Sequence, residues 1–127
     1  MLIIDISWAL EDWLRANGWT RRLAPYPRGS AGRLFSKGNR RIIYVPYIPI
    51  KPSLGTSITQ QCDDFFRRLC DALTRLLQRG IAIGPIVFQG GGNIPIPKWF
   101  TDFCAEHSII IIVIKPDDFN EKLREMM

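Results

Sequence analysis

The sequence predicts a single α/β domain over residues 1–127, built as three layers. A mixed sheet is expected with an N-terminal helix, a basic β-hairpin, a long central helix and a C-terminal β-α-β-α unit. Three observations carry that expectation. Apolar residues recur at helical spacing over 5–17 and again over 58–79. Two strand-like runs, Arg33–Ser36 and Arg40–Tyr47, are separated only by Lys37-Gly38-Asn39. Beyond residue 80 a strand, a helix and another apolar strand alternate, as in a parallel crossover unit. The chain is 46% hydrophobic and 23% charged, which suits a folded core and excludes a low-complexity or disordered chain.

Element by element, the first helix runs from about Asp5 to Asn17. Asp5 caps its first turn, and Ile6, Leu10, Trp13 and Leu14 form one stripe. Asn17-Gly18 is a natural left-handed stop. Residues 20–32 read as an irregular exposed loop, broken by Pro25, Pro27, Gly29 and Gly32. The hairpin follows, its turn relying on Gly38 and Asn39 for positive φ angles. Pro46 and Pro49 cannot donate to a ladder, so its second strand should be an edge or leave the sheet there. Residues 51–55 read as a linker.

Ser57-Ile58-Thr59-Gln60 matches a capping box in which serine and glutamine serve each other's backbone amides. The helix it opens runs to about Arg79 and stops at Gly80. Ile58, Phe65, Phe66, Leu69, Leu73, Leu76 and Leu77 share its apolar face, and Asp63–Arg67, Asp64–Arg68 and Asp71–Arg75 stand four apart on the other side. Ile81–Phe88 is a strand in which Pro85 marks an edge or bend. Pro97 opens a helix through His107, with Trp99, Phe100, Phe103 and Cys104 on its buried face. Ser108–Ile114 is apolar on both faces, as a central parallel strand requires. A last helix starts near Asp117, capped by Asp117 or Asp118, with Asn120 and Glu121 in its first turn.

Charge is unevenly spread. From Trp13 to Cys62, 50 residues, there is no carboxylate side chain and there are nine bases, whereas the other 77 residues hold eight bases and twelve acids. Such a one-sided segment points to a polyanion, nucleic acid first. The expected phosphate contacts are Arg21, Arg22, Arg28, Arg33, Lys37, Arg40, Arg41 and Lys51, with Lys37-Gly38-Asn39 entering a groove. Tyr26, Tyr44, Tyr47 and Trp19 are interleaved with these bases and offer stacking surfaces. A solvated basic surface is the alternative. No basic amphipathic helix points to a membrane, and no apolar run is long enough to span one.

Other constellations are weaker. Gly90, Gly91, Gly92 and Asn93 follow a strand and precede a helix, an arrangement that can aim amides at a nucleotide phosphate in an enzyme or sensor. They match neither the dinucleotide fingerprint nor the P-loop. Cys104 and His107 stand three apart on one helix, and Asp63 and Asp64 are adjacent carboxylates. Core packing and ion pairing with arginine explain these without chemistry. The one histidine and three scattered cysteines show no metal-ligand spacing, so neither a metal nor another cofactor is expected. An odd cysteine count without a close pair, and an N-terminus lacking a basic-then-apolar leader, point to a reducing, cytoplasmic setting.

The order helix, loop, hairpin, long helix, strand, helix, strand resembles the restriction-endonuclease-like fold of the PD-(D/E)XK nuclease superfamily across most of the chain. The resemblance is carried by Leu14-Arg15-Ala16-Asn17-Gly18-Trp19, by Gly84-Pro85-Ile86-Val87-Phe88, by Trp99-Phe100 through Ala105-Glu106-His107, and by Ile109–Ile114. That family places metal-binding carboxylates and a lysine on the hairpin strands. Here Arg33–Ile50 contains no acid, and Lys51 stands near the lysine position with Pro49 two residues before it. The resemblance therefore implies a nuclease-like module without the chemistry. It would bind DNA, or less favourably RNA, and a homodimer or a subunit role beside a partner protein is the further reading.

Overall fold

The computed structural model describes residues 3–22, 32–48, 50, 55, 57–89 and 96–126, with side chains omitted for 3–5 and 116. Among them are four α-helices: α1 (Ile3–Ala16), α2 (Ile58–Gln78), α3 (Lys98–Glu106) and α4 (Phe119–Glu125). A five-stranded sheet lies between them, formed by β1 (Thr20–Arg22), β2 (Arg33–Lys37), β3 (Arg40–Val45), β4 (Ala82–Gln89) and β5 (Ile111–Ile114) in the spatial order 1-2-3-4-5. β1, β2 and β3 pair antiparallel, and β3–β4 and β4–β5 pair parallel. Helices and strands interleave into one α/β domain, as the patterning predicts.

The alternation of side chains across the strands divides the core in two. On one face Ile6, Leu10 and Leu14 of α1 and Phe119 at the start of α4 meet Phe35, Ile42, Tyr44, Val87, Ile112 and Ile114. On the other, Phe66, Leu69 and Leu73 of α2 and Phe100 and Cys104 of α3 meet Leu34, Ile43, Ile86 and Phe88. Each large aliphatic side chain buried this way stabilises the fold by roughly 1.5–3 kcal/mol. An aromatic cluster anchors the second layer. The Phe66 ring lies 5.3 Å from Phe65, 5.8 Å from Phe88 and 4.9 Å from Phe100, by centroids.

Helix ends follow their local chemistry. α1 stops where Gly18 turns to φ 88° and the Trp19 amide donates to the Leu14 carbonyl at 2.9 Å. At the start of α2 the Ser57 hydroxyl accepts from the Gln60 amide at 3.1 Å. Only that half of the expected box is present among the described hydrogen bonds; the Gln60 side chain lies along the helix, its Nε2 donating to Asp64 Oδ1 at 2.9 Å.

Several expectations change. Thr20–Arg22, read as loop, is β1. Three exposed polar residues carry no apolar alternation, so only pairing with β2 reveals the strand. Gly38 alone takes positive φ in the hairpin turn. β3 is internal to the sheet and ends at Val45, before Pro46. Pro85 sits in the internal strand β4, at a shift of register opposite Arg41–Ile43, where a missing donor is tolerated. β5, apolar as a central strand would be, is an edge. Ile58 and Trp99 are exposed rather than core.

Candidate nucleic-acid interface

The basic residues separate into two groups according to what holds them. The first is a polar clasp under α1. Glu11, one-twelfth exposed at 8%, accepts through Oε1 from Arg33 Nη1 at 3.0 Å and Arg21 Nη1 at 3.2 Å. Arg33 also donates to the Ser7 hydroxyl, and its guanidinium lies 5.8 Å from the Tyr44 ring centroid. The Tyr44 hydroxyl donates to Gln89 Oε1 on β4. Burial raises the Tyr44 pKa above its ordinary value, against the opposing pull of Ser7 and the Arg33 charge, so the phenol keeps its proton and stays a donor. The sequence placed Arg33 on phosphate. The structure turns it inward instead, because alternation along β2 puts residue 33 on the face of Phe35, beneath α1.

The second group surrounds the hairpin tip. Lys37 and Arg40 stand directly opposite each other on the α1 side of the sheet. Two like charges facing across a ladder repel unless an anion lies between or beside them. Arg40 reaches over β4, its Nη2 3.6 Å from where a Cβ on Gly84 would stand. Arg22 and Arg41 lie on the α2 side, flanking Ser36, to whose hydroxyl Arg22 Nε donates at 3.0 Å. Arg41 donates to the Gly38 and Arg40 carbonyls of its own turn, at 3.0 Å each. Among the described residues no ion pair joins Arg22, Lys37, Arg40 or Arg41 to a carboxylate.

The tip is also fastened. Lys37 Nζ donates to the Asn17 carbonyl just past α1 at 2.7 Å. Asn39 donates to the Gly80 carbonyl past α2 at 2.8 Å and accepts from the Ala82 amide at 2.9 Å. A cation on a helix C-terminus is favourable in its own right, because the last carbonyls carry partial negative charge. The fold thereby brings exposed Arg15, in the last turn of α1, and Arg79, the residue closing α2, to the hairpin end. Arg15 counts among the bases of the one-sided segment, but the sequence marks neither residue as a phosphate contact; the available signal is a place in the last turn before a helix-stopping glycine, Gly18 or Gly80.

Arg28, Lys51 and the whole of Gly90–Asn93 lie outside the described residues, as does Tyr26. Tyr44 is wholly buried and offers no stacking face, and Tyr47 is exposed.

The remaining constellations have local explanations. Cys104 is buried, which pushes its thiol up to about 11, and exposed His107 packs on the Phe103 ring at 4.7 Å. A thiol held protonated there is not a nucleophile. Asp63 accepts from Trp99 Nε1 at 3.0 Å and Arg67 Nε at 2.6 Å, which holds its carboxyl below the usual range. Asp64 takes Gln60 rather than Arg68. Among the described residues no three histidine, cysteine or carboxylate side chains gather as metal ligands, and no helix is long and apolar enough to cross a membrane. Comparison with known families, with curated proteins and with solved structures returns no match.

Proposed function

We propose that this domain binds the phosphate backbone of nucleic acid, without catalysis, through the hairpin end of its sheet. One observation carries the reading: Arg22, Lys37, Arg40 and Arg41 have no carboxylate partner among the described residues and surround a tip tied to two helix ends. A backbone ligand needs fixed cations rather than a pocket. β2 and β3 carry no acidic residue, so they offer none of the metal-binding carboxylates that the nucleases this chain resembles place on such strands. Duplex DNA is the favoured ligand.

Salt-titrated fluorescence polarisation against duplex DNA, single strands and structured RNA tests this. Each lost phosphate contact should flatten the duplex salt slope by about 0.9. Lys37→Ala with Arg40→Ala removes the pair on the α1 side, and Arg22→Ala with Arg41→Ala the pair on the other. A slope reduced by about 1.8 in one double variant, and unchanged in the other, assigns the binding face. Parent affinity and slope in both would remove the interface.

A further inference from the structure

The two flanks of α2 differ. Beside α3, Asp63 and Arg67 pair with each other, and Asp63 also accepts from Trp99. Arg68 stands five residues beyond Asp63, about 140° around the helix. Arg75 and Arg79 follow at intervals of seven and four, so the three share the flank away from α3. All three are exposed. Among the described residues no ion pair joins Asp64 to Arg68 or Asp71 to Arg75, and none holds Arg79. Because α3 leads from β4 to β5 and covers that side of the sheet, the other flank of α2 overlooks β2 and β1. Leu34 of β2 packs into the same core layer as α2, and past it on this face stand exposed Arg22 and half-buried Arg41. β1 is exposed along its whole length. Five cations thus border one step in the surface, against two carboxylates, Asp64 and Asp71, on the outer side of α2. The carbonyls that end α2 add little negative charge, because Leu76 and Leu77 accept from Arg79, Gly80 and Ile81, and Gly80 accepts from Asn39.

We propose that this step is the track of a double helix, held along its phosphate backbone by Arg68, Arg75 and Arg79 on the wall and by Arg22 and Arg41 on the floor. This rests on the backbone-binding reading above, to which it adds the face, the α2 contacts and the double-stranded form of the ligand. From Arg68 to Arg79 the helix rises about 16 Å, the length of about five base-pair steps. A straight row of fixed charge suits a stiff polymer, and a duplex keeps its direction over about 150 base pairs. Single strands are held differently, by bases stacked on aromatic rings set among the cations. The exposed aromatic residues of the described chain stand elsewhere: Trp8 on α1 across the sheet, Trp99 on the α3 flank, and Tyr47 past the end of β3 away from the hairpin tip. An arginine row along phosphates carries no sequence information, so the track takes duplexes of any sequence.

Salt-titrated polarisation of the full chain with a mixed-sequence DNA duplex tests the track. Arg68→Ala with Arg75→Ala keeps good helix formers on α2 and should flatten the salt slope by about 1.8, with an unchanged circular-dichroism spectrum. Arg67→Ala with Lys98→Ala removes equal charge from the side of α3 and should leave the slope at its parent value. Of the two tip pairs, Arg22→Ala with Arg41→Ala should be the one that loses slope. One strand of the same duplex, without its complement, should bind at least about tenfold more weakly at equal salt. A parent slope in the Arg68→Ala, Arg75→Ala variant, with a tip variant still losing its own, overturns the track and leaves backbone binding at the tip standing. Slope lost only with Lys37→Ala and Arg40→Ala does the same. An equal loss in the Arg67→Ala, Lys98→Ala variant reports bulk charge and overturns the track, as does a single strand held as tightly as the duplex. A parent chain that binds no duplex in dilute salt overturns both readings.

Discussion

Replacing Glu11 by glutamine separates the structural from the electrostatic role of the clasp. The substitution keeps an oxygen that can accept from Arg33 and Arg21, now 3.0 and 3.2 Å away, and deletes the charge. Both bonds keep a charged donor, and what is lost is the ion-pair attraction. An exposed pair is worth about 0.2–1 kcal/mol and breaking a buried one costs about 3–5, so at this partly buried carboxylate the loss is about 1–1.5 kcal/mol per guanidinium. The Arg21 side chain is 49% exposed and can turn to water, so its share is discounted; the Arg33 side chain, 28% exposed, keeps Ser7 and the Tyr44 ring. The expected loss is about 2 kcal/mol. For 127 residues the unfolding entropy is roughly 0.27 kcal/mol/K, so the melting temperature should fall by about 7 °C. Urea unfolding should show a lower midpoint with unchanged slope. A second effect has the opposite sign: half-exposed Arg21, freed of the Glu11 charge, should tighten nucleic-acid binding and steepen its salt dependence. A stability change under about 0.5 kcal/mol would refute the clasp as a stabilising device. Weaker binding by a folded variant would refute its coupling to the basic surface.

Other outcomes follow from the packing. Phe66→Ala, which empties the centre of the aromatic cluster, should cost about 3–5 kcal/mol in chemical unfolding. Cys104 should resist alkylation at pH 8 in the native protein and react only on unfolding, as mass spectrometry of the labelled peptide would show. Asp63 has a native pKa below its ordinary 3.8, so its contribution is present above that value and is lost as pH falls through the depressed native one. Trp99→Phe removes the indole N–H whose hydrogen bond does most to favour the carboxylate, and should raise the Asp63 pKa in a carboxyl NMR titration.

The helices and the hairpin were legible because their signals are local. The stripe Ile6, Leu10 and Leu14, the Ser57 cap and the glycines past α1 and α2 act within a few residues of one another. What escaped depends on distant partners. β1 exists only because β2 returns beside it, and Arg33 is an internal residue only because α1 lays Ser7 and Glu11 over its strand. The same holds for β5, whose composition describes its neighbours better than its position. Charge counting located the basic segment. It could not tell which side of each strand a cation would occupy, since one residue of alternation decides between the clasp and the surface.

The fastening of the hairpin tip bears on how a partner would be met. Because Lys37 is anchored past one helix and Asn39 past the other, the turn has no hinge of its own. On the proposed reading a polymer would find its contacts already arranged, and docking would immobilise little of the protein. Association would then not wait on ordering of the turn, and differences in affinity would lie in departure rather than arrival. The same ties make the tip a lever: to tilt it is to shift both helical layers against the sheet at once.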